Sequence, residues 1–310
     1  MPELPEVETV VRGLRLSLPG RTVAEVRFGK TDFVDNPGEI ADRVPGMRVL
    51  DVARLGKFIC IGLEAGAQND PQINRLTRSY LIVHLGMTGR LTVIHSGESV
   101  VAHTHAFFIL DDGRELRYTD IRRFGRMLLI PESGLVKFTG ELGKEPLEIS
   151  AEEFCRYFGS RRARVKALLL DQKVLRGIGN IYADESLFRA RLHPARIAEN
   201  LSKEKLLLLH QKVQQVLEEA IRSRGSSISD YVDSEGKRGE FQLRHRVYQR
   251  DGKPCFRCMA IIRRTIVAGR SSHFCPRCQP APRTPRGAKG SAKRSPKKPL
   301  KRRIPSDRPD

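Results

Sequence analysis

The chain has 310 residues, 56 of them Lys or Arg against 36 Asp or Glu, for a formal net charge of +20 at pH 7. A hydrophobic share of 39% can build a core in each of about two domains, which excludes a wholly disordered protein. No run approaches the roughly 18 apolar residues of a spanning helix, so the charge points to a polyanion partner: nucleic acid first, an anionic membrane or ribosomal surface behind it.

The first ten residues, MPELPEVETV, carry acids where a secretory leader carries basic and then apolar residues, and the expectation is a soluble, cytoplasmic protein. Val7, Val10, Val11, Leu14 and Leu18 follow helical spacing, with Pro5 tolerated in the first turn and Pro19-Gly20 as the stop. Between about residues 21 and 130, short β-rich runs (22–28, 58–63, 80–85, 90–94, 106–110 and 127–130) are punctuated by Gly, Asn-Pro and Asp-Asp-Gly. Their number and spacing imply an antiparallel sandwich. From Ser150, which opens a capping box with Glu153, the character turns helical, with helices expected over 151–158, 165–171, 180–189 and 202–223. Leu206, Leu209, Val213, Val216, Leu217, Ala220 and Ile221 form the apolar stripe of the last one, and Gly225 is its expected C-terminal cap. Residues 226–242 are polar and contain glycine, so they read as a mobile loop. The class is therefore α+β, a sandwich followed by helices.

Cys60 and Cys155 stand alone in apolar segments, whereas Cys255-x2-Cys258 and Cys275-x2-Cys278, 16 residues apart, have the spacing of a structural zinc site. The run 261–267 and the turn before Arg270 are hairpin material. A redox dithiol is the alternative, but two matched pairs exceed what it needs. Four thiolates leave no open coordination position, so one such zinc would organise structure without performing catalysis. Beyond it, residues 280–310 hold eleven Lys and Arg against two acids, a net +9 that leaves +11 for residues 1–279. With seven prolines and almost no large apolar residue, this arm is expected to be disordered, either attracting nucleic acid without sequence preference or only aiding solubility.

Proline at position 2 favours removal of the initiator methionine, and the exposed secondary amine can attack an aldehyde-level carbon to form an iminium electron sink. Glu3 beside it is a candidate general acid or base. Met-Pro-Glu is also an ordinary start, with an acid favoured near a helix N-terminus, so these residues alone do not identify a catalyst.

The segments MPELPEVETVVRGL, HLGMTGRL (84–91), YTDIRRFG (118–125), GIGNIYADESLF (177–188) and the four-cysteine hairpin occur in the order seen in formamidopyrimidine-DNA glycosylases. The chain resembles that family from residue 2 to about 279, and its Glu-Leu-Pro-Glu start is similar to the purine-lesion branch. The resemblance implies Pro2 as the nucleophile at C1′ and Glu3 as the acid/base. It implies Lys57 for β-elimination, although a surface lysine at a strand start is the plain alternative, and Arg270 for phosphate gripping and δ-elimination. It further implies that Met87, Arg122 and Phe124 fill the gap left by a flipped nucleotide, and that His84, His103, Arg161 and Asn180 contact the DNA backbone. Asn180 opens a helix after residues 177–179, where a helix N-terminus favours a phosphate. Glu185 either faces the same cleft or holds a turn.

Four positions depart from the family pattern: Ser229 stands where Lys or Arg is common in the lesion-capping loop, Arg224 and Gln249 where glycine is common, and Lys144 where proline is common. The expected division is a catalytic sandwich at 1–135, a helical helix-two-turn-helix region at 136–250, a zinc finger at 251–279 and the arm at 280–310. The leading expectation is a monomeric DNA glycosylase and abasic-site lyase that removes oxidised purines from damaged duplex DNA in the bacterial cytoplasm, at the nucleoid. The alternatives are the same chemistry on oxidised pyrimidines and a non-catalytic zinc-hairpin nucleic-acid binder.

Overall fold

The computed structural model describes residues 2–65, 78–228 and 231–282. Ser229 and the basic arm beyond residue 282 lie outside the described residues. In chain order the elements are α1 (Leu4–Ser17), β1 (Val23–Phe28), α2 (Pro37–Arg43), β2 (Met47–Leu55), β3 (Phe58–Ala65), β4 (Arg78–His84), β5 (Arg90–His95), β6 (Thr104–Leu110), β7 (Arg114–Thr119) and β8 (Arg126–Pro131). Then follow α3 (Glu132–Gly140), α4 (Ala151–Gly159), α5 (Val165–Leu170), α6 (Asn180–Arg189), α7 (Lys203–Arg222), β9 (Arg263–Val267) and β10 (Arg270–Phe274).

Two antiparallel four-stranded sheets, ordered β1-β6-β7-β5 and β2-β3-β4-β8, enclose the first core. Val26, Leu91, Phe108 and Leu116 enter it from one sheet, and Val49, Ile59, Leu81 and Val83 from the other. The apolar face of α1 closes this core with Val7, Val10, Val11, Leu14 and Leu18, all essentially without solvent exposure. At about 1.5–3 kcal/mol for each fully buried aliphatic side chain, that face is a major part of what holds the chain's first turn in place. Leu4, one turn earlier, belongs instead to the second core, formed by α4 to α7. There Phe154 stacks on Phe158 at 4.1 Å, and every residue of the expected α7 stripe is buried. The halves are also joined by charge: Arg54 on β2 donates to Glu8 of α1 at 2.9 Å and to both carboxylate oxygens of Glu145 at 2.8 and 3.1 Å, and Arg176 donates to Glu145 at 3.1 Å.

Several expectations need correction. The capping box at Ser150 is half made: its hydroxyl accepts from the Glu153 N–H at 3.1 Å, but the Glu153 carboxylate pairs with Lys144. The described part of 226–242 is not a free loop, because Ser226, Tyr231, Asp233, Ser234 and Phe241 are buried, and the Tyr231 hydroxyl donates to the Glu6 carbonyl at 3.2 Å. Four elements, α2, β2, β7 and α3, have no counterpart in the sequence reading.

The departures from the family pattern have visible consequences. The N–H of Lys144, which a proline would lack, donates to the Val174 carbonyl at 3.1 Å. Arg224 and Gln249 sit in the left-handed region at φ 56° and 55°, a conformation that costs a non-glycine residue roughly 1–2 kcal/mol. Gln249 is exposed. Gln249→Gly should therefore raise unfolding stability by about 0.5–1 kcal/mol, after allowance for the extra entropy of glycine in the unfolded chain. Urea titration of the two proteins measures this, and a loss of stability would show that the glutamine side chain contributes more than its backbone strain removes.

Candidate active site

Residues 177–179 end in the N-terminus of α6, whose first amides have no acceptor within the helix. The buried Glu3 carboxylate supplies one, accepting from Gly179 N–H at 2.9 Å and Ile181 N–H at 3.0 Å. Glycine is what permits this approach. A Cβ on Gly179 would lie 2.3 Å from the Glu3 carboxyl carbon, and one on Gly177, where φ is +94°, would lie 2.9 Å from Leu4. Burial raises the Glu3 carboxyl above its ordinary value, against the pull of Lys57 and of the α6 amides. The amides on either side of Asn180 thus meet an internal carboxylate, and the Asn180 side chain has its Oδ1 buried without a hydrogen-bond partner.

Glu6, which the sequence reading did not single out, lies just behind. Its carboxyl accepts from the Glu3 N–H at 2.8 Å, from the Ser226 N–H at 2.7 Å and from the Tyr182 hydroxyl. Burial, and then repulsion from Glu3, push it up to about 7. Its signal in the sequence is the acid one turn beyond Glu3.

Pro2 is buried beside Glu3. Lys57 occupies the two-residue turn between β2 and β3 and is only 8% exposed, so it is not the plain surface lysine allowed by its sequence position. Burial lowers its pKa, Glu3 raises it and Arg270 lowers it again, which places all three charges in one neighbourhood. His84, at the end of β4, is pushed down to about 4 by burial and by Lys57, and its Nδ1 accepts from the Gly86 N–H at 3.0 Å. It is therefore a neutral ring whose other nitrogen carries the donor proton.

Arg270 starts β10 directly after Ala268 and Gly269, both at positive φ, the two-residue turn that suits a twisted hairpin. The hairpin is anchored to α6 by a strut that the sequence reading missed. Lys166 and Asp184, each fully buried, pair at 2.6 Å. Lys166 also donates to the Ser271 carbonyl at 2.9 Å and to the Ser272 hydroxyl at 2.7 Å, and Asp184 accepts from the His273 N–H at 2.8 Å. Below it Cys255, Cys258, Cys275 and Cys278 converge, with sulfur separations of 3.4, 3.5 and 4.0 Å. A tetrahedron with metal–sulfur bonds of 2.3 Å has edges of about 3.8 Å, so the set fits one structural zinc.

A second group gathers on two loops. Met87 and Phe124 are 40% and 59% exposed, and the Arg122 guanidinium lies 4.5 Å over the Phe124 ring. Buried Asp120 ties the loops together by accepting from Thr88, the Tyr118 hydroxyl and the amides of Arg122 and Gly125, and its own N–H donates to the His103 carbonyl at 3.0 Å. Arg161 is exposed after α4, and among the described residues its side chain makes no hydrogen bond or ion pair with either group. Glu185 takes the second of its two readings: it is buried and accepts from the amides of Arg246, Val247 and Tyr248 at 2.9 Å, holding that turn.

Three family models match: the formamidopyrimidine-DNA glycosylase N-terminal domain over residues 1–127, the H2TH domain of the same glycosylase over 142–232, and the zinc finger found in FPG and IleRS over 252–281. The formamidopyrimidine-DNA glycosylase of Solibacter usitatus is 45% identical over 90% of this chain and 99% of its own, and that of Heliobacterium modesticaldum 44% over 90% and 100%. Among solved structures, the Thermus thermophilus MutM (FPG) protein superposes with a TM-score of 0.77 at 40% identity, over 90% of this chain and 98% of its own. Lactococcus lactis Fpg with abasic-site DNA gives 0.80 at 29% identity, over 90% and 100%.

Two measurements test the site as built. An acid whose folded pKa is raised stabilises the fold below its unfolded value of 4.5, and that contribution is lost as pH rises through about 7. Glu6→Gln should thus flatten the fall in stability between pH 5 and 8 by on the order of 1–3 kcal/mol, read by urea unfolding at both pH values; an unchanged slope would place the titration elsewhere. Chelation should remove one zinc per chain and abolish the hairpin's amide-exchange protection while α1 keeps its own. Retained protection in β9 and β10 after metal loss would contradict a structural role.

Proposed function

The chain belongs to the formamidopyrimidine-DNA glycosylases, and on that footing we propose that it excises oxidised purines, such as 8-oxoguanine and formamidopyrimidines, from duplex DNA and cuts the strand at the resulting abasic site. The observation that carries this reading is the convergence of Glu3, Lys57 and Arg270 beside Pro2 at the N-terminus of α6.

Once Met1 is removed, the Pro2 nitrogen is a secondary amine. Its lone pair attacks C1′ of the extruded nucleoside, the N-glycosidic bond breaks, and opening of the sugar ring leaves an iminium between Pro2 and C1′. Glu3, with its carboxyl held up by burial, suits proton donation as the base and ring oxygen depart. The iminium then acidifies C2′; loss of that proton expels the 3′ phosphate, and δ-elimination expels the 5′ phosphate. Lys57, lowered by burial, is suited to assist the first elimination, and exposed Arg270 to grip phosphate in the second. Met87, Arg122 and Phe124 are proposed to fill the vacated stack, with His84, His103, Arg161 and Asn180 on the DNA backbone. Zinc keeps the hairpin folded and takes no part in these steps.

We further propose a monomer with units divided near residues 135, 250 and 279, working in the bacterial cytoplasm on the nucleoid. Its support there is the net charge of +20, together with the finding that among the described residues no helix is long and apolar enough to cross a membrane. A second reading, excision of oxidised pyrimidines, is favoured by one observation: a Lactococcus lactis Fpg structure with a TM-score of 0.80 is a complex with oxidised-pyrimidine-containing DNA.

Borohydride reduction in the presence of abasic-site duplex should trap a covalent complex with the processed protein and none with Pro2→Gly. Failure of the correctly processed protein to trap would favour the non-catalytic binder. Parallel duplexes with 8-oxoguanine and thymine glycol separate the substrate readings; faster single-turnover cleavage of thymine glycol would overturn the purine assignment.

A further inference from the structure

The far end of α6 opens into a crevice of about 450 Å3, lined by Phe188, Arg189, Glu219, Arg246, Phe256 and Arg257. Phe188 is eight residues beyond Asn180, so at 1.5 Å per residue it lies about 12 Å along the helix from the amides that hold Glu3. The catalytic chemistry does not use this crevice.

Its walls are unusual for a surface. Phe256 is 62% exposed, and Met259 and Ile261 on the same zinc knuckle are exposed beside it. Such a patch is uncommon unless something covers it. Arg250 lies 3.5 Å from the Phe256 ring centroid and Arg246 5.3 Å from it, while Arg257 lies 4.9 Å from Phe188. Two of the cations have protein acceptors: Arg189 pairs with Glu219 at 2.8 Å, and Arg250 donates to the carbonyls of Arg246 and Pro254 at 2.9 and 3.1 Å. Among the described residues, Arg246 and Arg257 form no ion pair.

We propose that this crevice docks an acidic peptide segment of a partner protein, with one apolar side chain seated between Phe188 and Phe256 and flanking carboxylates on Arg246 and Arg257. Charge complementarity selects this occupant. The chain's own arm, with eleven Lys and Arg against two acids, has the wrong sign, and a second copy would bring a further +20. A single-stranded nucleic acid would need a free aromatic face for base stacking. Guanidinium groups already lie against the Phe256 ring, which a side chain packing at its edge tolerates and a stacked base does not.

The test titrates the full zinc-loaded chain into a fluorescein-labelled decapeptide of Asp and Glu with one central Phe, read by anisotropy at about 150 mM salt. Arg246→Glu and Phe256→Ala should each weaken binding at least five-fold, with zinc content and abasic-duplex cleavage unchanged. The same peptide with Ser for Phe should bind the unaltered protein at least five-fold more weakly and ignore Phe256→Ala, which separates the crevice from general attraction to the basic arm. If Phe256→Ala loses zinc, Arg246→Glu, which leaves both knuckles intact, decides alone. The proposal is overturned if Arg246→Glu binds the Phe peptide as tightly as the unaltered protein, or if the Ser peptide binds equally well. It is also overturned if an oligonucleotide of equal charge binds more tightly and loses the same factor in the variants.

Discussion

The carboxylate of Glu3 closing the N-terminus of α6 is the contact on which the rest of the molecule depends. An unpaired buried carboxylate is costly, and here three backbone amides at the positive end of a helix and the Lys57 ammonium offset that cost. Only glycine at 177 and 179 lets the first turn of α1 come so close. Chain termini fray unless tied down, and this one is tied on both sides. Leu4 is packed in the helical core, while Val7 and the residues after it are packed in the sandwich core. For the nucleophile proposed at residue 2, this anchoring of the residues that follow in both cores fixes where the amine is presented.

Where one face of an element meets one core, the sequence reading came within a residue or two of the structure. Both α1 and α7 present unbroken apolar stripes, and α6 was expected over the residues it occupies. The elements that escaped it each break the periodic signal for a physical reason. In β2 a bulge between Val49 and Asp51 shifts the alternation halfway along the strand. In β7 the buried positions include Glu115 and Arg117, paired at 2.7 Å, so the strand looks polar. No residue of α3 is buried, and α2 is a seven-residue helix entered from Asn36 in the left-handed region.

The site divides in the same way. Pro2, Lys57 and Arg270 carry no chemistry that identifies them in isolation; the order of whole motifs drew attention to them. Glu6, Asp120, Lys166 and Asp184 did not stand out because partners distant in sequence complete their roles. A lysine within Val-Lys-Ala-Leu-Leu-Leu is the sort of signal that was available, since a lone charge in an apolar run must find a counter-ion when the run is buried. Its counter-ion, Asp184, sits on α6 and also holds the backbone of β10, so one ion pair sets the hairpin that presents Arg270.

The net charge of +20 is therefore a poor description of the site itself. Burial and mutual influence move its ionisable groups toward neutrality: Glu3 and Glu6 retain protons more readily than free carboxyls, while Lys57 and His84 release them more readily than free bases. Of these, Glu6, pushed up to about 7, can exchange a proton near neutral pH, whereas His84, pushed down to about 4, stays a neutral ring there. The exposed arginines supply long-range attraction to a polyanion, whereas burial and near neighbours set the proton affinities of the groups beneath them.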